Sequence, residues 1–364
     1  MRIVTTSYIN TAEFTEPLSW LDRINFHTGT LEHLARQHEV ISIEQIHYNG
    51  ELERNNVRYH FLNFQKPKLW FPLDLHRHIT SLSPDVVWVH GLHFPLQVMQ
   101  LRRALPRRTK IIVQHHAEKP HTGWRRQLQQ LADGCINRYL FTSLETGRNW
   151  VQKGIISREA KLAEVMEASS VFGENGTPER LKQDYAFFLW VGRLDENKDP
   201  LTVINAFCRF LHYSPTAQLY LIFHVDKLLP EVRNIIEQAG KTENIHLVGK
   251  VPHSELQAWY QKADFFLSGS HYEGSGIAVC EAMSCGCIPI LTNIPSFRKM
   301  TDQGQCGLLY TPGNADELLA CLQTALKLDT GKERTKVLAQ FKHELSFQAI
   351  ATKINNLLLK IADA

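Results

Sequence analysis

The feature that most constrains this chain is an alternation of short apolar runs with helix-period stretches, and the alternation occurs twice in succession. In the first half the apolar runs are RIVTTS (2–7), HEVISIEQI (38–46), DVVWVHG (85–91), KIIVQHH (110–116) and RYLFTS (138–143). TGTLEHLARQ (28–37) and FPLQVMQLRRAL (94–105) read as helices between them. The second half restarts with YAFFLWVG (185–192), AQLYLIFH (217–224), NIHLVG (244–249), DFFLSGS (264–270) and IPILTN (288–293), with helices at 199–211 and 276–286. This pattern predicts parallel sheets covered by helices. A length of 364 residues suits two such domains. The polar, Gly- and Pro-bearing stretch 172–184 reads as the boundary. The tail 346–360 has its apolar residues on one helical face, at Phe347, Ile350, Ile354, Leu357 and Leu358, and needs a surface to cover them.

Several classes are excluded. With 43% hydrophobic and 21% charged residues, the composition is that of a globular chain rather than a disordered one. No apolar run approaches the ~18 residues of a membrane span. The start, MRIVTTSYINTAEF, lacks the basic-then-apolar order of a secretory signal. Seven cysteines without a C-x-x-C pair suggest reduced thiols in a cytoplasm. Cys280, Cys285, Cys287 and Cys306 are expected to be buried and inert rather than metal ligands. Through Ser170 there are 21 basic against 16 acidic residues, and after it 19 against 21. That bias is too small to imply nucleic acid. The basic group Arg102, Arg103, Arg107, Arg108 and Lys110 is either a solvated turn or a contact for anionic lipid at the inner face of the cell membrane.

Open parallel sheets bind ligands beyond the carboxyl ends of their strands, so residues that follow strands carry the functional argument. In VGRLDENKDP, Gly192 allows close backbone approach, and Arg193 and Lys198 precede a helix. A planar guanidinium fork and an ammonium at that place form a diphosphate clamp, or an ordinary solvated turn with surface ion pairs. In HYEGSGIAVCEAM, Glu273 and then Gly274-Ser275-Gly276 lead into a helix beginning near Ile277, whose free N–H groups favour phosphate or sugar oxygens. Glu281, eight positions after Glu273, could accept hydrogen bonds from vicinal hydroxyls, or be a plain helix glutamate. His115 and His116 end one strand and His90 another, and all three are candidates to face a ligand.

Taken together, FLWVGRLDENKDPLTVINAF, NIHLVGKVPHSELQAWYQKADFFLSGS and EGSGIAVCEAM resemble the donor-binding domain of family 4 glycosyltransferases, in order and in spacing. The resemblance is strong over about 160–345 and weaker through SPDVVWVHGLHFP and KIIVQHHAEKP. It implies an α/β chain of GT-B fold, with two Rossmann-like α/β/α domains facing each other across a cleft. It implies an acceptor-binding domain at 1–170, a nucleotide-sugar-binding domain at 171–345, and a C-terminal helix, 346–364, returning to the first domain.

The implied activity is retaining transfer of a hexose-type sugar from a nucleoside diphosphate-sugar, UDP- or GDP-linked, to a glycan, lipid-linked or small-molecule acceptor in bacterial surface polysaccharide synthesis. By the resemblance, Arg193 and Lys198 hold the diphosphate and Glu281 the ribose. Glu273, with the amides from Ser275 to Ile277, handles the sugar, and Gly249 to Val251 lie beside the base. His116 sits near the donor sugar, with His115 and His90 behind it. No Asp-x-Asp pair occurs, so no obligatory metal or other cofactor is expected. One departure is the long N-terminal insertion, rich in Phe and Trp, which is expected to shape the acceptor pocket. The family's Gly-Gly loop is missing, and Gly29 before the helix is the substitute. A nucleotide-sugar epimerase and a decayed nucleotide- or glycan-binding protein are the alternatives.

Overall fold

The computed structural model describes residues 1–9, 11–63, 69–173 and 184–362. Most of the stretch expected as the domain boundary, 174–183, lies outside them. The chain forms two compact units: Met1–Ser169 with the chain from Phe347 onward, and Ser170–Ser346.

The first unit is built on β1 (Arg2–Ser7), β2 (Glu39–Glu44), β3 (Gly50–Arg54), β4 (Val57–Phe61), β5 (Val86–His90), β6 (Lys110–Gln114), β7 (Arg138–Phe141) and β8 (Leu162–Glu164). Their order is β3-β4-β2-β1-β5-β6-β7-β8, parallel except for the antiparallel pair β3–β4. That pair is a hairpin the sequence reading did not anticipate. Its turn is Asn55-Asn56, with φ of 52° and 66°, the left-handed pair that two-residue hairpins require. Charged Glu51 and Glu53 lie on this edge strand, which discourages pairing with another chain.

The second unit contains β9 (Phe187–Gly192), β10 (Gln218–Phe223), β11 (Ile245–Gly249), β12 (Phe265–Ser268), β13 (Ile288–Thr292) and β14 (Leu308–Tyr310). All pairs are parallel, in the order β11-β10-β9-β12-β13-β14. Phe187, Phe188, Leu189 and Trp190 are all buried, as a central strand with both faces covered requires. Phe188 and Trp190 join one core with Val203, Phe207 and Phe210 of the helix Pro200–Phe210.

The tail forms the helix Phe347–Ala362, which packs on the helix Asn25–Leu34 of the first unit. Phe347, Ile350, Ile354 and Leu358 are buried there, and His38 Nε2 lies 2.7 Å from Asn355 Oδ1. Gly29 explains the close approach. It stands inside the helix Asn25–Leu34, not before it, and the Phe347 ring comes within 2.5 Å of where a Cβ would be. The absence of a side chain at Gly29 is therefore accounted for by helix packing, not by a loop at a phosphate. In the N-terminal insertion, Pro17–Arg23 is a short helix, with Trp20 against Phe14 and its Nε1 donating to Glu44 at 2.8 Å.

Candidate functional site

In the second unit the strand order reverses between β9 and β12: β10 and β11 lie to one side, β13 and β14 to the other. Such a switch leaves a crevice beyond the carboxyl ends of the two strands. The loops leaving β9 and β12 are those that carry Arg193, Lys198 and Glu273.

The two loops are stitched together. Asn197 Nδ2 donates to the Tyr272 carbonyl at 3.0 Å, and the His271 amide donates to the Asn197 carbonyl at 2.8 Å. Lys198 Nζ is ion-paired with Glu273 Oε1, a partner 75 positions away. Gly269 makes this approach possible, because an added Cβ would stand 2.8 Å from the Asp199 carbonyl and 2.9 Å from that of Lys198. Asp199 then caps the helix Pro200–Phe210, accepting from the Thr202 amide at 3.2 Å. Arg193 is half-exposed, and its Nε donates to Asp195 Oδ2 at 2.7 Å. Asp195 also accepts from the Lys198 amide at 3.0 Å. Partial burial works against the Asp195 carboxylate, but these hydrogen bonds and the two cations outweigh it and hold its pKa below the ordinary value. Gly192 closes β9, with the Trp190 ring 3.0 Å from where its Cβ would be.

Beyond Glu273, Gly274 and Ser275 are buried, and Gly276 adopts φ +70° as the N-cap of the helix Ile277–Ser284. Gly276 brings no side chain of its own to cap that helix start, whose first N–H groups suit a ligand's oxygens. Glu281 lies deeper in the same helix and is buried. One carboxylate oxygen is 2.7 Å from His253 Nε2 and the other accepts from Tyr260 Oη at 2.9 Å. Burial, and then Glu281, push the Tyr260 phenol well above its ordinary pKa, so it remains a donor. His253 stacks on Phe172, with centroids 5.0 Å apart, and stands two residues after the half-buried Val251. Glu281 and the segment at Val251 are therefore joined through His253.

In the first unit the three histidines divide. His115 is buried, stacks on Phe141 at 4.8 Å and donates from Nε2 to the Glu118 carbonyl at 3.0 Å. Burial holds its pKa down. His90 and His116 instead form a relay. Thr5 Oγ1 lies 2.8 Å from His90 Nε2, His90 Nδ1 lies 2.9 Å from His116 Nε2, and His116 Nδ1 lies 3.0 Å from Glu167 Oε2. Burial opposes charge on His116, but Glu167 and then Glu118 outweigh it, so its pKa is raised. Burial, His27 and His116 lower that of His90 far below the ordinary value. With His116 charged, both its ring nitrogens donate. His90 then accepts at Nδ1 and carries its proton on Nε2, facing Thr5.

Glu118 ties the turn, accepting from the His116 amide at 2.6 Å and the Leu92 amide at 2.9 Å. Ala117, at φ +64°, makes that fold-back possible. Sequence reasoning missed Thr5, Glu118, Glu167, Asn197, His253, Tyr260 and Gly269. Glu118 sits inside a quoted segment, two residues after His116, and was the most findable of them. Cys280, Cys285, Cys287 and Cys306 are buried thiols outside any disulfide among the described residues, and burial pushes the Cys285 thiol up to about 11 and that of Cys306 to about 12. Among the described residues no helix is long and apolar enough to cross a membrane.

Comparison with known proteins gives a consistent result. Residues 173–342 match the family model described as glycosyl transferases group 1. A GDP-mannose:cellobiosyl-diphosphopolyprenol alpha-mannosyltransferase of Xanthomonas oryzae is 27% identical over 248 residues, 65% of this chain and 63% of that protein. An O-antigen chain mannosyltransferase B of Escherichia coli is 31% identical over 34% of this chain and 32% of its own. The matched part is thus less than two thirds of the curated relatives' length. Among solved structures, sucrose-phosphate synthase from Thermosynechococcus elongatus superposes with a TM-score of 0.73 at 15% identity, over 99% of this chain and 98% of that one. A glycosyltransferase from Rickettsia africae gives 0.75 at 15% identity, again over 99% and 98%. With its two sheets following the fold of these enzymes, the chain has the GT-B fold, and its residues 173–342 match the model of the glycosyl transferases group 1 family.

Proposed function

We propose that this chain is a retaining, family 4-type glycosyltransferase that moves a hexose from a nucleoside diphosphate-sugar to a glycan or lipid-linked acceptor in bacterial surface polysaccharide synthesis. The observation that carries the reading is the pairing of Lys198 with Glu273 across the switch point, beside the helix start at Gly276. In this reading the donor diphosphate takes Lys198 from Glu273 and engages the Arg193 fork, so that two cations neutralise the departing nucleotide. That charge is supplied by side chains, and activity is expected to survive a chelator. Glu273, released from the lysine, meets the sugar hydroxyls together with Gly274, Ser275 and the Ile277 amide. Glu281 spans the ribose hydroxyls with lone pairs that Tyr260 and His253 leave open, and the backbone at Val251 lies beside the base.

His116, whose pKa Glu167 and Glu118 raise against the effect of burial, is the group of the first unit assigned to the donor sugar, with His90 fixing its ring. The acceptor's hydroxyl attacks from the side of the leaving phosphate, which takes the proton. The relatives' names make GDP-mannose the first donor to test and a polyprenyl diphosphate-linked sugar the first acceptor. A cytoplasmic enzyme meeting such an acceptor works at the inner membrane face. The test is thermal shift with UDP-, GDP- and ADP-sugars, followed by transfer to a synthetic lipid-linked disaccharide. Stabilisation by one nucleotide class with product formation supports the reading; no stabilisation by any of them overturns it.

A further inference from the structure

The first unit contains a second concavity that none of the residues assigned above uses. A cavity of about 350 Å³ opens beyond the carboxyl ends of β1, β5 and β6. Tyr8 follows β1 directly, His93 and Phe94 follow β5, and His121 follows β6. β1 and β5 adjoin where the order of this sheet reverses, the position at which open parallel sheets bind ligands. The volume falls within the roughly 300–1,000 Å³ of small-molecule sites.

Two indoles from distant segments share this cavity. Trp70 is 52% and Trp124 59% exposed, whereas Trp88, Trp150 and Trp190 are buried. Large apolar rings left in water around one concavity mark a contact surface. Trp70 is held in place by its backbone: Gln97 Nε2 donates to the Leu69 carbonyl at 2.9 Å, and Gln100 Nε2 to that of Trp70 at 3.2 Å. Polar groups lie among the rings. His93 and His121 stack with centroids 4.6 Å apart, and the Arg125 guanidinium lies 5.4 Å from the Trp124 ring centroid. Burial, then His93 and Arg125, hold the pKa of His121 down, so its neutral ring offers a donor and an acceptor.

Flat apolar faces bordered by N–H donors and an imidazole acceptor complement a pyranose. Its C–H face covers an indole while its hydroxyls reach the polar groups. An alkyl chain would cover the His121 imidazole and the Arg125 guanidinium without offering either a hydrogen bond. We propose that this cavity binds a carbohydrate ring of the acceptor, stacked on Trp70 and Trp124, with His93, His121 and Arg125 taking its hydroxyls. Naming that sugar the acceptor rests on the glycosyltransferase reading; its binding does not.

The test is saturation-transfer NMR and tryptophan fluorescence with cellobiose, lactose, maltose and methyl α-mannoside, without donor, on the wild type, Trp70→Ala, Trp124→Ala and Trp124→Phe. Binding of GDP and UDP is measured on the same samples, so a failure of the nucleotide site is seen separately. The expected result is saturation of ring C–H protons in at least one saccharide, a loss of affinity of tenfold or more in each alanine variant, and partial recovery in Trp124→Phe, with nucleotide binding unchanged. The proposal is overturned if none of the saccharides binds the wild type, or if the alanine variants bind them equally well. It is also overturned if the alanine variants lose binding to phosphatidylglycerol vesicles while saccharide binding stays intact, which would make the surface a membrane contact.

Discussion

His116 Nδ1 lies 3.0 Å from Glu167 Oε2, joining the residue just past β6 to the segment that follows β8. The pair raises the His116 pKa above 6.5 although burial alone would lower it. Its contribution to stability is therefore complete below about 6.5 and is lost as pH climbs through the raised folded value. Glu167→Gln should bring the His116 titration midpoint down, and its stability deficit should be largest at mildly acid pH and shrink toward alkaline pH. Imidazole NMR titration and urea melts over pH check this. A wild-type midpoint at or below 6.5 would remove the relay from the account.

The Lys198–Glu273 pair gives a prediction with two signs. Lys198→Ala and Arg193→Ala each lose a charge-assisted contact of about 1.5–3 kcal/mol, so turnover should fall roughly 10- to 150-fold. Glu273→Gln instead frees the lysine, and free GDP or UDP should bind as well as or better than before while sugar transfer falls. Calorimetry with the diphosphate beside a transfer assay separates the two, and weaker nucleotide binding in Glu273→Gln would sink the assignment.

Glu281 is buried and depends on its donors. Tyr260→Phe should destabilise the fold by about 1–3 kcal/mol, because a buried carboxylate loses a hydrogen bond that water cannot replace. Glu281→Ala should weaken free nucleotide binding more than it alters sugar selectivity. Urea melts and calorimetry are the measurements, and an unchanged nucleotide affinity would move Glu281 to a purely structural part.

Gly29→Ala should be destabilising by about 1–3 kcal/mol, because its Cβ meets the Phe347 ring and not a ligand. Phe347→Leu in the same chain should recover part of that loss, and the coupling is read from a double-mutant cycle. Additive effects would show that the two residues do not share the contact.

Much of the fold was legible because strands buried on both faces leave long apolar runs such as FFLWV and VVWV, and few other structures do. The edge hairpin was not, since its exposed face carries charge and its turn is Asn-Asn without glycine. At the site, Lys198 and Glu273 were legible as residues that follow strands. Their ion pair was not, because it depends on two loops 75 positions apart and on the bare backbone at Gly269. Gly29 was misplaced because a glycine in a helix start and one under a packed ring look alike in sequence. Tyr260 and His253 carried no local signal, as their part depends on which helix faces Glu281.

The helix Phe347–Ala362 also has a consequence for the order of events on the ribosome. It completes the first unit, yet it is synthesised after the whole of the second. Ser170–Ser346 is continuous and can close as soon as it emerges, while the first-made sheet waits with the Gly29 face uncovered. During that interval the earliest part of the chain is the last to be finished, and the surface around Gly29, His33 and Leu34 is what a chaperone would meet. A nascent chain stalled before Phe347 should therefore be protease-sensitive in its N-terminal half and resistant in its C-terminal half, the reverse of what synthesis from the N-terminus would give two independent domains.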